Sequence, residues 1–195
     1  MSQPKFIRKR NRLPHKKLYQ GGYWYFVTIC VQDKKCIFVE SATSPTKVPT
    51  DGNNFKLNTI GKIVQETWLD IPQYYQEVFL DQFVIMPNHF HGVISLEKGL
   101  ILAQVISAFK RITIKKIKQL YISKNSVGEV ADFTQGVFNQ FNTIWQKSFY
   151  DHIIRDEKDL QRIREYIQNN PLKWHLDSLN PQNKKVTFKS MSEEF

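Results

Sequence analysis

Cysteine is scarce in this chain of 195 residues: Cys30 and Cys36 alone flank an expected turn, and they form neither a disulfide framework nor a zinc-binding spacing. Long apolar runs are missing as well. Stretches such as Phe83 to Met86 and Val93 to Ser95 fall far short of the roughly 20 residues that cross a bilayer, so no membrane partner is expected. Met1 to Arg10 is basic but leads into no apolar stretch, which excludes a secretory signal and makes the cytoplasm the expected location. Acid is the third shortage. Against 28 Lys and Arg stand 18 Asp and Glu, a formal net charge of +10. An excess of that size repels itself unless a polyanion is bound, and nucleic acid is the expected partner.

The positive charge is concentrated in two places. Lys5, Arg8, Lys9, Arg10, Arg12, Lys16 and Lys17 follow one another with no acid between them, and Lys110, Arg111, Lys115, Lys116 and Lys118 form a second group. Arg8, Arg10 and Arg12 are candidates to grip phosphates or enter a groove, and Lys110, Arg111 and Lys115 to line the path of a strand. A solvated face would look the same.

Hydrophobic patterning suggests one core. Tyr23 to Val31 is aromatic and β-branched, a central strand after the Gly21-Gly22 break. Ser41 to Asn54 has loop composition. Ile60, Ile63, Val64, Thr67 and Trp68 recur at helical spacing, with Asn58 or Thr59 as cap and Pro72 as stop. Val78 to Met86 and His89 to Ser95 read as two strands joined by a bend, and Leu100 to Leu120 as a long helix with a basic flank. A loop over Lys124 to Asn142 should precede a short strand at Thr143 to Phe149. Asp156 should cap a final helix that ends at Asn169-Asn170-Pro171. No repeat or heptad run appears. This order predicts an α+β, ferredoxin-like split βαβ sandwich, its antiparallel sheet carrying helices on one face. Residues 1–20 form a basic arm, 21–175 the domain and 176–195 a peripheral tail.

The chemistry is concentrated in His89-Phe90-His91. On a strand the two imidazoles share one face while Phe90 points to the other. Imidazole is the commonest metal ligand, although such a pair is also compatible with two hydrogen-bonded histidines. On the last helix Tyr166 and Asn170 lie four apart and share a face. If that face meets the histidines, His89, His91 and Asn170 can bind a divalent cation beside Tyr166, a nucleophile for phosphate. The residues leave alternatives open. Tyr166 could be core and Asn170 a helix cap, while Tyr150 could be the nucleophile and His152 the third ligand.

From Tyr23 to Trp174 the chain resembles the single-tyrosine HUH transposases (IS200-like), in particular their REP-associated branch. The matching pieces are Tyr25-Phe26-Val27-Thr28-Ile29, Val84-Ile85-Met86-Pro87-Asn88-His89-Phe90-His91-Gly92, Trp145-Gln146 through Asp151-His152-Ile153-Ile154-Arg155, and Tyr166-Ile167 through Asn170-Pro171. The resemblance implies an HUH nuclease core, with His89 and His91 as ligands of Mg2+ or Mn2+ and Tyr166 rather than Tyr150 as nucleophile. It also implies that Asn170 stands where better-known insertion-sequence members carry a longer glutamine ligand. By softness alone two imidazoles would suit zinc equally.

The implied activity is that of a DNA transposase, an endonuclease that binds single-stranded DNA with a hairpin. It would cleave and rejoin that DNA through a 5′-phosphotyrosine intermediate, as a monomer or homodimer. The alternatives are a catalytically silent hairpin-binding regulator of the same fold and a plain metal hydrolase. The hydrolase would want a carboxylate near the metal, and the sequence offers no obvious one.

Overall fold

The computed structural model describes residues 21–40, 55–125 and 144–183. The expected loop at 41–54, most of the one at 124–142, the arm with Arg8, Arg10 and Arg12, and the end of the tail lie outside those residues. Four strands form one antiparallel sheet: β1 (Tyr23–Cys30), β2 (Val78–Ile85), β3 (His89–Leu96) and β4 (Tyr150–Ile154), in the order β2-β3-β1-β4. Helices α1 (Thr59–Leu69), α2 (Ile71–Tyr74), α3 (Leu102–Asn125) and α4 (Glu157–Asn169) complete the α+β fold. Placing β1 and β3 side by side in the middle is the split βαβ arrangement. Among the described residues no helix is long and apolar enough to cross a membrane.

Strand alternation sends side chains to two cores, one on each face. Tyr25, Val27, Ile29, Phe90, Ile94 and Leu96 meet Val64 and Trp68 of α1 and Leu102, Ile106 and Phe109 of α3. Phe26, Val84, Val93 and Ile154 meet Leu160, Ile163 and Ile167 of α4, together with Trp174. The expectation of helices on one face is therefore corrected: α4 covers the face opposite α1 and α3. Its physical cause is that β1 and β3 are apolar on both faces, so each face needs a cover.

Local chemistry explains the helix ends. Asn58 caps α1 by accepting from the Gly61 N–H at 2.9 Å, while its own amide group donates to Ile37 O and Val39 O. Pro72 does not simply stop this helix; it sits in the first turn of α2, where its missing N–H costs nothing. Asp156 caps α4 by accepting from the Asp159 N–H at 2.8 Å. The last strand lies later than Thr143 to Phe149. Trp145 makes an isolated bridge to Val31, and the ladder with β1 runs instead through Tyr150 to Ile154, where β-branched residues fill both faces. Between Leu80 and Phe83 the β2–β3 register shifts, and Asp81 in this bulge pairs with Arg164 of α4 through two hydrogen bonds of 3.0 and 2.6 Å.

Gly92 matters to the site from behind. A Cβ there would lie 2.7 Å from the Phe90 ring and 2.8 Å from Trp68, so only glycine lets these two rings pack, tilted by 54° with centroids 4.5 Å apart, beneath β3. That packing anchors the strand segment that carries both histidines.

Candidate active site

His89 and His91 are both fully buried on the α4 face of β3. Their Nε2 atoms stand 3.0 Å apart. The Nδ1 atoms are tied from behind. Asn88 Oδ1 lies 2.8 Å from His89 Nδ1, and the Asn88 amide group donates to Lys34 O at 2.9 Å and Leu179 O at 2.8 Å. Those two donations fix which way the carboxamide faces, so His89 carries its proton on Nδ1 and a lone pair on Nε2. Thr28, paired with His91 across the β1–β3 ladder, places Oγ1 2.8 Å from His91 Nδ1. A hydroxyl donates or accepts there, so His91 Nε2 can donate to His89 or offer its own lone pair.

Burial keeps both rings neutral. His89 is pushed down to about 3 by burial and then by the Lys34 charge. His91 is held well below its ordinary value by burial and then by His89, with Asp177 opposing. Asp177 Oδ2 stands 3.6 Å from His89 Nε2, too far for a hydrogen bond. With His89 neutral, that contact is no ion pair. Burial pushes the Asp177 carboxyl up, with the Leu179 N–H, the neighbouring His91 and the Lys34 charge pulling it down.

Helix α4 brings Tyr166 to this pair. The Tyr166 ring lies edge-on to His91 at 5.3 Å and edge-on to Phe26 at 5.8 Å, while Phe26 stacks on the other part of His91 at 5.4 Å. Asn170 follows one turn later, 6% exposed, and its carboxamide makes no hydrogen bond among the described residues. It is the C-cap residue of α4. Tyr150 shares the sheet face, and its ring packs on Phe26 at 6.4 Å. Its phenol is pushed up by burial and by Asp151, which disfavours phenolate. His152 turns Nε2 to Asp159 Oδ2 at 2.9 Å, an acid that Arg162 and the Arg155 N–H also hold.

The donor set fits a cation. Two neutral imidazole nitrogens on one face are the donor type a divalent cation takes, and as they stand their 3.0 Å separation is that of an Nε2–H···Nε2 hydrogen bond.

A sequence model of the IS200-like transposases matches residues 58–170, a span that holds both histidines, Tyr166 and Asn170. The chain belongs to the IS200-like transposase family. An uncharacterized protein of Haemophilus influenzae is 34% identical over 181 residues, covering 88% of this chain and 92% of the relative. A second protein of that organism, provisionally assigned as a REP-associated tyrosine transposase, is 29% identical over 82% of this chain and 76% of its own length. The solved structure of a REP-associated tyrosine transposase bound to a REP hairpin shares the fold, with a TM-score of 0.51 at 16% identity over 83% of this chain and 74% of the other.

The basic residues of the second charged group differ in their surroundings. Lys110 donates to the carbonyls of Gln146, Lys147 and Ser148, at 2.8, 3.5 and 3.0 Å, and so braces the segment leading into β4. Arg111 and Lys115 are exposed on α3, which packs on the sheet face away from the histidines. Three residues of the site escaped sequence reasoning. Asn88 reads as a bend residue, Thr28 as strand core, and Asp177 falls in the tail expected to be peripheral. In fact residues 177–180 pack against the site, with Leu179 and Asn180 buried. The register of β1 on β3 would have found Thr28. No local signal marks Asp177.

Proposed function

We propose that this transposase binds single-stranded DNA carrying a hairpin, of the REP-like or insertion-sequence-end kind, and cuts and rejoins it through Tyr166. The observation that carries this reading is the Tyr166 ring packed on His91, 5.3 Å between centroids, beside two neutral imidazole nitrogens 3.0 Å apart. His89, His91 and Asn170 would hold magnesium or manganese, and such an ion supplies a Lewis acid for a phosphate oxygen.

The chain's own residues position the reaction. Phe26 and His91 restrict the Tyr166 ring, so little rotational freedom is lost on attack. A free phenol, with a pKa of about 10, is a weak nucleophile, which makes that positioning matter. The Tyr166 oxygen forms a bond to phosphorus as the bond to the 3′ oxygen breaks. The phenol loses its proton and the leaving oxygen gains one, giving a 5′-phosphotyrosine and a free 3′-hydroxyl. One phosphodiester has been exchanged for another, so the reverse step rejoins DNA without an energy source. The net charge of +10 suits the polyanion, and unpaired bases would use aromatic platforms.

The test is a labelled oligonucleotide with a hairpin and single-stranded flanks, incubated with Mg2+ or Mn2+. A denaturation-resistant adduct that chelator and Tyr166→Phe both abolish supports the reading. Hairpin binding with no cleavage would point to a silent regulator, and cleaved product with no adduct to a hydrolase.

A further inference from the structure

We propose that Asp177 is a further ligand of the cation held by His89 and His91, so that the turn at residues 177–180 forms part of the metal centre. The inference rests on the reading of the histidine pair as a cation site. As the described residues stand, no group of three or more His, Cys, Asp and Glu is placed to hold a metal ion, so the proposal requires Asp177, whose carboxylate faces His89, to close on the pair when a cation binds.

Its Oδ2 lies 3.6 Å from His89 Nε2, and the side chain is 10% exposed. Neighbouring ligands of an octahedral ion stand about 3.0 Å apart, so closure needs a shift of roughly half an ångström. The two carboxylate oxygens are used differently. Oδ1 accepts from the Leu179 N–H at 2.7 Å, whereas Oδ2 accepts no hydrogen bond among the described residues. The acceptor turned toward the imidazole lone pair is therefore the one that lacks a donor.

The turn is built to hold that carboxylate in place. Asn88 donates to Leu179 O at 2.8 Å, Asn180 Nδ2 donates to Trp174 O at 3.1 Å, and Lys34 donates to Ser178 O at 3.2 Å. Asn88 thus joins the turn to His89 directly, since its Oδ1 accepts from His89 Nδ1. An oriented second shell of this kind is usual behind metal ligands. The charge is also consistent. Two neutral imidazoles and a carboxamide leave a divalent ion's charge unreduced, while an anionic oxygen offsets half of it and shifts preference toward hard cations.

The test measures Mn2+ binding to the full chain without DNA, by loss of the free-ion EPR signal, for wild type, Asp177→Asn, Asp177→Ser and His91→Ala. Asn retains an acceptor for the Leu179 N–H, and Ser serves if Asn does not fold, with thermal unfolding in chelator as the check. Affinity should fall about 10- to 100-fold in either Asp177 variant and further in His91→Ala. In wild type, Mn2+ replaced by Mg2+ should slow hydrogen exchange at the Leu179 amide. Asp177 variants within twofold of wild type, or no change at Leu179, would overturn the proposal while leaving the histidine site intact. Wild type that binds no Mn2+ would instead refute the cation reading itself.

Discussion

Acid should destabilise the metal-chelated protein well above the range where carboxylates titrate. His89 has an ordinary value of 6.5 and is pushed down to about 3 in the folded protein, so between those values the unfolded chain binds a proton that the folded one refuses. Stability then rises with pH across that window and falls on acidification. From about pH 7 to about pH 5.5 this linkage removes on the order of 1 kcal/mol for His89 alone, and the loss grows as pH falls toward 3. His91 is depressed by the same burial and adds to the loss. Asp177 opposes it, because burial raises its carboxyl and the folded form takes up a proton more readily. Urea unfolding in chelator, carried out in an Asp177→Asn background, removes the opposing group. His89→Gln in that background should lessen the fall between about pH 7 and about pH 5.5 by on the order of 1 kcal/mol. A stability independent of pH over that interval, or one unaffected by His89→Gln, would refute neutral, buried histidines.

The remaining expectations concern how the frame holds the site. Lys110→Met should lower stability by about 1–3 kcal/mol in urea unfolding through the lost carbonyl contacts, while leaving the salt dependence of DNA binding unchanged. Gly92→Ala should cost about 1–3 kcal/mol by forcing the Phe90 and Trp68 rings apart, and should weaken Mn2+ binding as β3 shifts. The hydrogen bonds from Arg164 hold the Asp81 carboxyl below its ordinary value, so this link between α4 and β2 stabilises above about pH 4 and is lost as pH falls through the lower folded value. Asp81→Asn should remove that part of the acid transition in a pH series of thermal unfolding.

Much of the frame was legible because its causes are local. Alternation in Tyr23–Cys30 and His89–Leu96, the Asn58 and Asp156 caps and the spacing of α1 each follow from neighbouring residues. What failed depends on tertiary pairing. The aromatic content of Thr143 to Phe149 suggests a strand, yet the ladder forms at Tyr150–Ile154, where both β1 faces find partners. The contacts of Lys110 are likewise tertiary, its ammonium lying among the carbonyls of residues 146–148. At the site, the faces of His89, His91, Tyr166 and Asn170 were readable from periods of two and four. The packing of Tyr166 on His91 was not, since it depends on α4 covering the opposite sheet face from α1 and α3. Asp177 was hidden for the same reason, being brought in by the turn that Asn88 anchors.

The nucleophile itself can be located directly. After reaction with a hairpin oligonucleotide and Mg2+, nuclease digestion and peptide mass mapping should find a nucleotide on the peptide containing Tyr166 in wild type and in Tyr150→Phe. In Tyr166→Phe no modified peptide should remain. A nucleotide on Tyr150, or an adduct that survives Tyr166→Phe, would contradict Tyr166 as the residue that attacks DNA.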